Sequence, residues 1–263
     1  MTAVRGLDEA MLRAMLRRVD GPRARDVAVH AEIDSTSDEL KRRLRRGEAA
    51  PGSLVIAFAQ TRGRGRLGRS WFSPAAGHLY ASLAGAVEGP PAERVPLVPL
   101  AAGIAAVDAL AAYGCAGILL KWPNDLMRGG RKVGGILCEA LALRAGSSTA
   151  VVGLGVNTGC SAFDGALAAT AACLDDGSGG PRPELVAAAW VEAIERWIER
   201  LSSGDREAIV TAWLERAERF GGRVRAGGIE GTTAGLDAGG RLLIRSDDGS
   251  TAAIPGGVVE DAG

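Results

Sequence analysis

The hydrophobic pattern changes its period several times along the chain, which indicates a mixture of helices and strands. Apolar side chains recur at helical spacing over residues 7–18. Residues 26–33 alternate between polar and apolar, as a half-buried strand does. Residues 53–59 and 78–86 are almost continuously apolar, which is typical of buried strands. The first third of the chain therefore predicts one amphipathic helix and three strands.

A polar segment between the first two predicted strands begins like a helix. Ser35 and Thr36 are hydroxyl residues suited to capping the helix N-terminus, and acids follow in the first turn. Basic residues over positions 41–46 occupy the predicted last turns, and Gly47 provides the stop. The basic run is explained as the solvated end of a helix. The two hydroxyls can cap the helix and still contact a polar ligand.

The middle of the chain predicts a long helix and a glycine-rich hairpin. An alanine-rich stretch over residues 93–113 is expected to be helical, with a break near Pro99. The apolar run that ends at Lys121 reads as a strand, and a Gly-Gly turn leads to a partner strand that begins at Lys132. Residues 151–157 form a further strand, whose glycines would let a ligand approach the backbone.

The character of the sequence changes in its last quarter. Two helices, over residues 184–201 and 206–220, are followed by short strands separated by glycine and aspartate turns. The expected strands cover residues 223–226, 231–236, 241–245 and 251–254. This pattern predicts a small all-β barrel. We therefore expect residues 1–220 to form one large domain and residues 221–263 a second, small domain.

Composition narrows the classes of function. Basic and acidic residues balance at 31 each, so the overall field of the molecule does not favour nucleic acid. One helix precedes the first strand, whereas a helix-turn-helix domain needs several, so we expect no DNA partner. No window approaches the apolar run of about 20 residues that a membrane span requires, so we expect no membrane partner.

Cysteine, histidine and lysine each bear on the compartment or the chemistry of the protein. The four cysteines have no paired metal spacing, and a chain of 263 residues does not need disulfides, which favours a reduced, cytoplasmic protein. His30 and His78 are far apart, which argues against a histidine-based metal centre or nucleophilic triad. We expect His30 to be an ordinary strand residue. Lysine is rare, and its three occurrences are Lys41, Lys121 and Lys132.

The segment from Gln60 to Trp71 concentrates candidate chemistry. Its arginines are Arg62, Arg64, Arg66 and Arg69, and no acid lies among them. Glycines between them let the backbone lie close to a ligand, and arginine binds phosphate or carboxylate with two donors at once. Trp71 offers a stacking surface for a nucleobase. The segment predicts a clamp over an anion. A solvated basic loop or a nucleic-acid patch is the alternative.

A second group of polar residues lies at the ends of predicted strands. Lys121 ends an apolar strand, and Asn124 and Asp125 follow it closely. Convergent polar groups of this kind are typical of a ligand pocket, although Asn-Asp is also common turn chemistry. Lys132 starts the next strand close to Gly135, either as a ligand-binding cation or as an exposed lysine.

These motifs together resemble those of the biotin protein ligases. The matching motifs are Gly63-Arg64-Gly65-Arg66 with Arg69 and Trp71, Lys121-Trp122-Pro123-Asn124-Asp125, Lys132 with Gly134-Gly135, and Gly153-Leu154-Gly155-Val156-Asn157. They occur in the order and spacing of that family, over roughly residues 30–260. The combination is far more specific than the arginine loop alone.

The resemblance implies an α+β fold and a two-step reaction. The fold would be a mixed β-sheet flanked by helices, of the class II synthetase-like biotin/lipoate ligase type, followed by an SH3-like β-barrel. In the implied reaction, biotin and MgATP give biotinyl-5′-AMP and pyrophosphate. A lysine of the biotin carboxyl carrier domain of an acyl-CoA carboxylase then takes the biotinyl group and releases AMP.

The resemblance also implies roles for individual residues. Contacts to biotin are implied for Ser35, Thr36, Ser37, Gln60, Gly63, Arg64, Gly65, Arg66, Lys132, Gly135 and Gly153. Contacts to the nucleotide are implied for Arg69, Trp71, Lys121, Asn124 and Asn157. Lys132 and Arg66 would be catalytic, and Asp125 would help to hold Mg²⁺ or the phosphates. The arginine loop would be mobile when empty and would order over the adenylate.

Two residues depart from the family pattern. Ser37 stands where asparagine is usual, which would make one contact to biotin shorter or water-mediated. Arg62 stands where alanine is usual, and it would either strengthen nucleotide binding or face solvent. We expect no N-terminal DNA-binding domain. Members without this domain are a known variant of the family. The alternatives are a lipoate ligase or transferase of related fold and, in a different class, a basic nucleic-acid-binding module.

Overall fold

Helices and strands alternate along the chain, as the hydrophobic pattern predicts. The computed structural model describes residues 8–17, 26–75, 77–144, 146–159, 163–175, 179–218 and 220–262. Its helices are α1 (Glu9–Leu16), α2 (Thr36–Arg46), α3 (Pro91–Arg94), α4 (Val98–Ala111), α5 (Ala166–Thr170), α6 (Pro183–Ser203) and α7 (Arg206–Glu215). Its strands are β1 (Val27–Ile33), β2 (Leu54–Gln60), β3 (Leu79–Glu88), β4 (Ile118–Lys121), β5 (Asp125–Arg128), β6 (Arg131–Arg144), β7 (Ser147–Val156), β8 (Arg223–Ala226), β9 (Ile229–Leu236), β10 (Leu242–Arg245), β11 (Thr251–Ile254) and β12 (Glu260–Asp261).

Seven strands form one mixed sheet, in the order β1-β2-β3-β7-β6-β5-β4. β1 and β2 are parallel, whereas the other neighbours are antiparallel. The central pairing of β3 with β7 runs from Leu79 opposite Val156 to Glu88 opposite Ser147. Long apolar strands suit this central position because they are paired on both edges and covered on both faces. The predicted α+β fold, a mixed sheet flanked by helices, is confirmed.

Helices cover both faces of this sheet. α4 and α6 pack against each other and bury the larger apolar core together with α1 and α7. α2 covers the opposite face, where Leu40 packs with Val55, Ala84 and Val151. The cavity of the candidate site lies on this second face, beside the N-terminus of α2.

α2 begins and ends where the sequence predicts. Oγ of Ser35 accepts a hydrogen bond from the backbone N–H of Asp38 at 3.4 Å, which caps the helix N-terminus. Gly47 ends the helix in the left-handed region, with a φ of 71°. The capping hydroxyl is thereby fixed at the edge of the cavity.

The stretch Pro91–Ala111 is long and apolar enough to cross a membrane, with a mean hydropathy of 1.5. The expectation that no window approaches such a run was therefore wrong. In this structure 61% of the apolar window is buried inside the protein. Ile104 and Ala105 of α4, for example, belong to the larger core. Packing between the sheet and α6 accounts for the apolar character of this stretch.

The break expected near Pro99 is present, because a 3₁₀ turn over Val95–Leu97 interrupts the alanine-rich stretch and Pro99 lies in the first turn of α4. Two other details of the predicted elements were wrong. α7 ends at Glu215 instead of residue 220, because the chain beyond it runs alongside β4. Asp125 begins the strand β5, which the sequence pattern did not reveal.

Some predictions fall on residues that the structure does not describe. The first helix is present over Glu9–Leu16, while residues 7 and 18 of its predicted span lie outside the described part of the chain. Cys160 also lies outside it. Cys115 and Cys138 are free thiols.

A second, antiparallel sheet follows α7, in the order β11-β10-β9-β8-β12. This sheet is consistent with the expected SH3-like domain, although within the described residues no pairing of β11 with β12 closes it into a barrel. The two-residue strand β12 was missed because it is too short to show a pattern. Nε1 of Trp122 donates a hydrogen bond to the carbonyl of Gly240 at 3.0 Å, which ties this sheet to the larger one.

Candidate functional site

A cavity of about 470 Å³ opens on the face of the large sheet beside α2. Fifteen of the seventeen predicted site residues line it. They are Ser35, Thr36, Ser37, Gln60, Arg64, Gly65, Arg66, Arg69, Trp71, Lys121, Asn124, Asp125, Lys132, Gly135 and Gly153. The fold therefore brings together motifs that are more than a hundred positions apart in the sequence.

Gly63 and Asn157 are not part of the cavity wall. A Cβ at Gly63 would lie 2.5 Å from the carbonyl oxygen of Trp71, so glycine is required there for the loop to fold back on itself. Asn157 is 4% exposed, and its Nδ2 donates to the carbonyl of Ala172 at 2.9 Å. The nucleotide contact of Asn157 stays a prediction that this geometry does not support, because its side chain holds the segment after α5.

Glycines flatten the floor of the cavity. Gly135 of β6 and Gly155 of β7 are direct partners, and Gly153 lies two residues before Gly155 in β7. A Cβ at Gly155 would lie 2.7 Å from Nε1 of Trp71, and a Cβ at Gly153 would lie 2.9 Å from Oγ of Ser37. The indole and the hydroxyl therefore rest directly on the sheet backbone, which larger residues would prevent.

A β-bulge directs Lys132 into the cavity. The pairing of β5 with β6 shifts its register between Leu126 and Met127, so that Val133 is an extra residue on β6. A bulge changes which residues share a face of the sheet. Lys132 and Gly135 are three residues apart and would lie on opposite faces of a regular strand, but here they lie on the same one.

The side chain of Lys132 lies close to Asp125, Trp71 and Gly135. Nζ lies 2.5 Å from Oδ1 of Asp125 and 5.3 Å from the centre of the Trp71 ring. A Cβ at Gly135 would lie 3.3 Å from Cε of Lys132, so the lysine stem folds over this glycine. The side chain of Lys132 is 33% exposed. Lys132, the cation predicted at the start of this strand, therefore lies inside the cavity beside a carboxylate.

One end of the cavity carries buried hydroxyls and an amide. The hydroxyls of Thr36 and Ser37 lie 2.8 and 2.9 Å from Oγ of Ser82 on β3. Oε1 of Gln60 accepts from the backbone N–H of Thr36 at 2.9 Å. Ser35, Thr36 and Ser37 are all buried. This end is therefore polar but uncharged, and its groups hold one another in place.

Residues 63–71 form a loop that folds back on itself in the wall of the cavity. The backbone N–H of Trp71 donates to the carbonyl of Gly63 at 2.9 Å, and the N–H of Gly65 donates to the carbonyl of Arg69 at 2.7 Å. Leu67 at the tip has a φ of 56° and is 67% exposed. A leucine in the left-handed region is uncommon, which marks the tip as a strained turn.

Two arginines of this loop lack an acidic partner. Within the described parts of the chain, no carboxylate lies within ion-pair distance of Arg66 or Arg69, and both line the cavity. Nη1 of Arg66 donates to Oδ1 of Asn124 at 3.2 Å, and Nδ2 of Asn124 donates to the carbonyl of Ile136 at 2.6 Å. Burial lowers the pKa of Arg66, because desolvation disfavours the cation. An anion bound here would restore the lost solvation.

Arg64 differs from these two arginines. Its Nη1 lies 2.6 Å from Oδ1 of Asp38, and its Nη2 lies 2.8 Å from Oε1 of Glu139. The pKa of Arg64 is raised, because these two carboxylates outweigh the opposing effect of burial. Arg64 lines the cavity, but its guanidinium is already bound by acids of the protein.

Basic residues of α2 and its neighbours are paired on the surface. The pairs on α2 are Arg42–Asp34, Arg43–Asp26 and Arg46–Glu48. Arg62 is 79% exposed and pairs with Asp34 at 3.2 Å, so it faces solvent. The guanidinium of Arg42 lowers the pKa of Asp34, which remains a strong partner. Paired cations leave little free positive charge for phosphates, which disfavours the nucleic-acid-binding alternative.

The structure adds residues that the sequence did not single out. Ser82 completes the hydroxyl cluster, and its presence in an otherwise apolar strand was a usable signal. Gly257, Val258, Val259 and Asp261 of the second sheet region line the outer part of the cavity. Oδ2 of Asp261 lies 3.9 Å from Nζ of Lys121. No sequence signal pointed to these last residues, because only the tertiary fold brings them to the site.

Comparison with known proteins agrees with this geometry. Residues 29–157 match the Biotin/lipoate A/B protein ligase family. The chain is 39% identical over 143 residues to the bifunctional ligase/repressor BirA of Escherichia coli, which covers 54% of this chain and 43% of that protein. It is 36% identical over 154 residues to the biotin–[acetyl-CoA-carboxylase] ligase of Mycobacterium tuberculosis, which covers 57% of this chain and 56% of that protein. The chain thus spans less than two thirds of these relatives.

Among solved structures, the fold resembles that of the biotin protein ligase from Aquifex aeolicus in complex with biotin and ATP. The TM-score is 0.76 at 26% sequence identity, over 90% of this chain and 100% of that one. The likeness extends beyond the matched segment into the region of the second sheet. From the matched motifs, the cavity and this likeness together, the chain carries over residues 29–157 a domain of the Biotin/lipoate A/B protein ligase family.

Proposed function

We propose that the protein is an ATP-dependent biotin protein ligase. In the first step, a carboxylate oxygen of biotin attacks the α-phosphorus of ATP, the bond to the bridging oxygen breaks, and pyrophosphate leaves biotinyl-5′-AMP behind. In the second step, the amine of an acceptor lysine attacks the acyl carbon, the bond to AMP breaks, and the lysine nitrogen loses a proton. The acceptor is a biotin carboxyl carrier domain of an acyl-CoA carboxylase.

The observation that carries this proposal is the place of Lys132 in the cavity. Its ammonium is fixed beside Asp125 and Trp71, above a glycine floor, and Arg66 lines the same cavity without an acidic partner. Both substrates of the first step are anions, so cations must offset their repulsion and the charge that develops at the α-phosphate. Lys132 is suited to bridge the biotin carboxylate and the α-phosphate, and Arg66 to cover them.

The hydroxyl end of the cavity favours biotin over lipoate. Thr36, Ser37 and Gln60 present polar groups that match a ureido ring, which both donates and accepts hydrogen bonds. The dithiolane of lipoate has no such groups and could not use the hydrogen-bonding capacity that these side chains retain beside their mutual contacts. Gly153 and Gly155 are two residues apart, so roughly 7 Å separates this end from the region of Lys132. A ligand with a polar ring and a carboxylate on a short chain suits that spacing.

The other end of the cavity is equipped for a nucleotide. Trp71 offers an aromatic ring, and Arg69 and Lys121 add cations to the wall. Among the described residues, no three acidic, histidine or cysteine side chains gather as a metal site. Mg²⁺ usually arrives on phosphates and needs only one or two protein carboxylates, and Asp125 is suited to that role. When bound, Mg²⁺ would neutralise part of the phosphate charge.

We place the boundary between the catalytic domain and the SH3-like domain near residue 221, which lies just before β8. A cytoplasmic location is supported by the use of ATP and by free thiols at Cys115 and Cys138.

Pyrophosphate release tests the first step directly. We expect the protein with MgATP to release pyrophosphate and form an acyl-adenylate when biotin is added, and to do so far less with lipoate. Chromatography of the quenched reaction would identify biotinyl-5′-AMP. Adenylate formation with lipoate alone would replace the biotin proposal by the lipoate alternative.

A further inference from the structure

The guanidinium of Arg64 is held between two acids from different parts of the fold. Nη1 lies 2.6 Å from Asp38, and it lies 3.0 Å from Oε2 of Glu139. Nη2 lies 2.8 Å from Oε1 of the same glutamate, so Glu139 binds the guanidinium with both oxygens. Bidentate pairing of this kind fixes the orientation of the guanidinium as well as its position.

Lys41 completes a closed group of four charges. Its Nζ lies 2.7 Å from Asp38 and 3.1 Å from Glu139. With Arg64, the two cations and two anions sum to zero, and none of the four side chains is more than 36% exposed. Charges in such a partly buried group are screened less by salt than a surface pair.

The two acids come from rigid elements. Asp38 lies in the first turn of α2, three residues after the capping Ser35. Glu139 lies on β6, two residues after Leu137, which lines the cavity, so both point to the same side of the sheet. The helix start and the central sheet are thus connected to the loop through one arginine.

Arg64 sits at the base of the loop, where its position affects the remaining loop residues. It forms a bridge with Ser70 across the loop, and the next pair inward joins Gly65 to Arg69. Arg66 lies two residues further on, with its guanidinium in the cavity. Fixing Arg64 therefore limits how far the loop can move away from the sheet.

We propose that Asp38 and Glu139 are positioning residues, which hold Arg64 and through it set the loop of residues 63–71 over the cavity. Arg64 then serves as an anchor of the loop, and the anions of the substrates are left to Arg66, Arg69 and Lys132. The base of the loop is thus held against the sheet before any ligand binds, and the part beyond Arg64 is the part that the adenylate would order. The expected kinetic effects rest on the proposed ligase function. The expected effect on the loop of the ligand-free protein does not.

Glu139→Gln is the main test, because it keeps the size of the side chain and removes its charge. We expect faster tryptic cleavage at the loop arginines in the ligand-free protein, by about tenfold. In the adenylation assay, the KM for biotin should rise by about tenfold with kcat changed less than twofold, because loop placement affects binding more than chemistry. Glu48→Gln, which breaks only the exposed pair with Arg46, is the matched control and should change neither.

Arg64→Lys provides a second variant that keeps the charge but cannot bind Glu139 with two parallel donors. It should give the same split between KM and kcat with a melting temperature near that of the wild type. Unchanged cleavage and an unchanged KM in both folded variants would overturn the inference. If the wild type does not use biotin at all, the proposed function fails, whereas the cleavage result still decides whether Arg64 anchors the loop.

Discussion

The indole of Trp71 lies against the backbone of Gly155, so closely that a Cβ at residue 155 would be 2.7 Å from Nε1 and 2.8 Å from Cε2. The ammonium of Lys132 lies 5.3 Å from the ring centre. Trp71 therefore lies against the sheet and next to the proposed catalytic cation. One glycine in the floor makes this arrangement possible.

Gly155→Ala should displace the indole and disturb the nucleotide end of the cavity. We expect the KM for ATP to rise by about tenfold, and the free energy of unfolding to fall by about 1–3 kcal/mol, because the added methyl overfills a packed site. Steady-state kinetics and denaturant titration measure the two effects. Gly222→Ala is the control, since a Cβ there meets nothing within 4 Å. An equal KM for ATP in Gly155→Ala and Gly222→Ala would show that Trp71 does not form part of the nucleotide site.

Lys132→Ala should lower the rate of adenylate formation by about 100-fold or more, as expected for the loss of a group that stabilises developing charge. The fold should persist, because the side chain is 33% exposed and its partner Asp125 can be solvated. Single-turnover formation of biotinyl-5′-AMP is the measurement. Arg131→Ala, at the exposed neighbouring position, should leave the rate unchanged. A rate near wild type in Lys132→Ala would mean that another cation carries the chemistry.

Arg66→Ala should let the adenylate escape. The guanidinium lines the cavity and is held by Asn124, so its loss opens the cover over the bound intermediate. We expect dissociation of biotinyl-5′-AMP to be faster by about tenfold or more, since a charged hydrogen-bonding group is lost. Arg62→Ala, directly before the loop, is the matched control, because Arg62 is 79% exposed and faces solvent. Similar dissociation rates in these two variants would argue against a covering role.

Stability should fall at acid pH partly because of His78. Burial lowers the pKa of His78 from 6.5 to about 4, since the imidazolium cannot be solvated. Between these values the unfolded chain binds more protons than the folded one, so the free energy of unfolding decreases as the pH falls from 6.5 towards 4. The decrease is up to about 3 kcal/mol.

His78→Gln removes this titration and isolates it from that of the carboxylates. Denaturant titrations of wild type and variant at several pH values should show that the variant loses less stability over the same acid range. Parallel pH dependence in the two proteins would contradict a neutral, buried His78.

Structural features that depend on residues close together in the chain could be predicted from the sequence. The caps of α2, Ser35 and Gly47, and the apolar strands around the site follow from short patterns. The glycine floor was also indicated, because glycines in a strand suggest a close approach to the backbone. These features place most of the predicted residues around one cavity.

Other features depend on distant pairings that no local pattern encodes. The extra residue Val133, which turns Lys132 inward, depends on how β5 and β6 align. Glu139, a partner of Arg64, lies 75 positions away, so no local pattern could reveal this pairing, and the contact of Arg64 to biotin stays a prediction. Asp38 looked like an ordinary acid in the first turn of a helix, and its link to Arg64 appears only in the folded chain.

The most direct test of the ligase function is the intact mass of an acceptor. A purified biotin carboxyl carrier domain is incubated with this protein, MgATP and biotin, beside a carrier whose acceptor lysine is replaced by arginine. We predict a mass increase of one biotinyl group on the first carrier, with AMP released, and none on the second. No mass increase on the intact carrier, or an increase with lipoate in place of biotin, would contradict the proposed function.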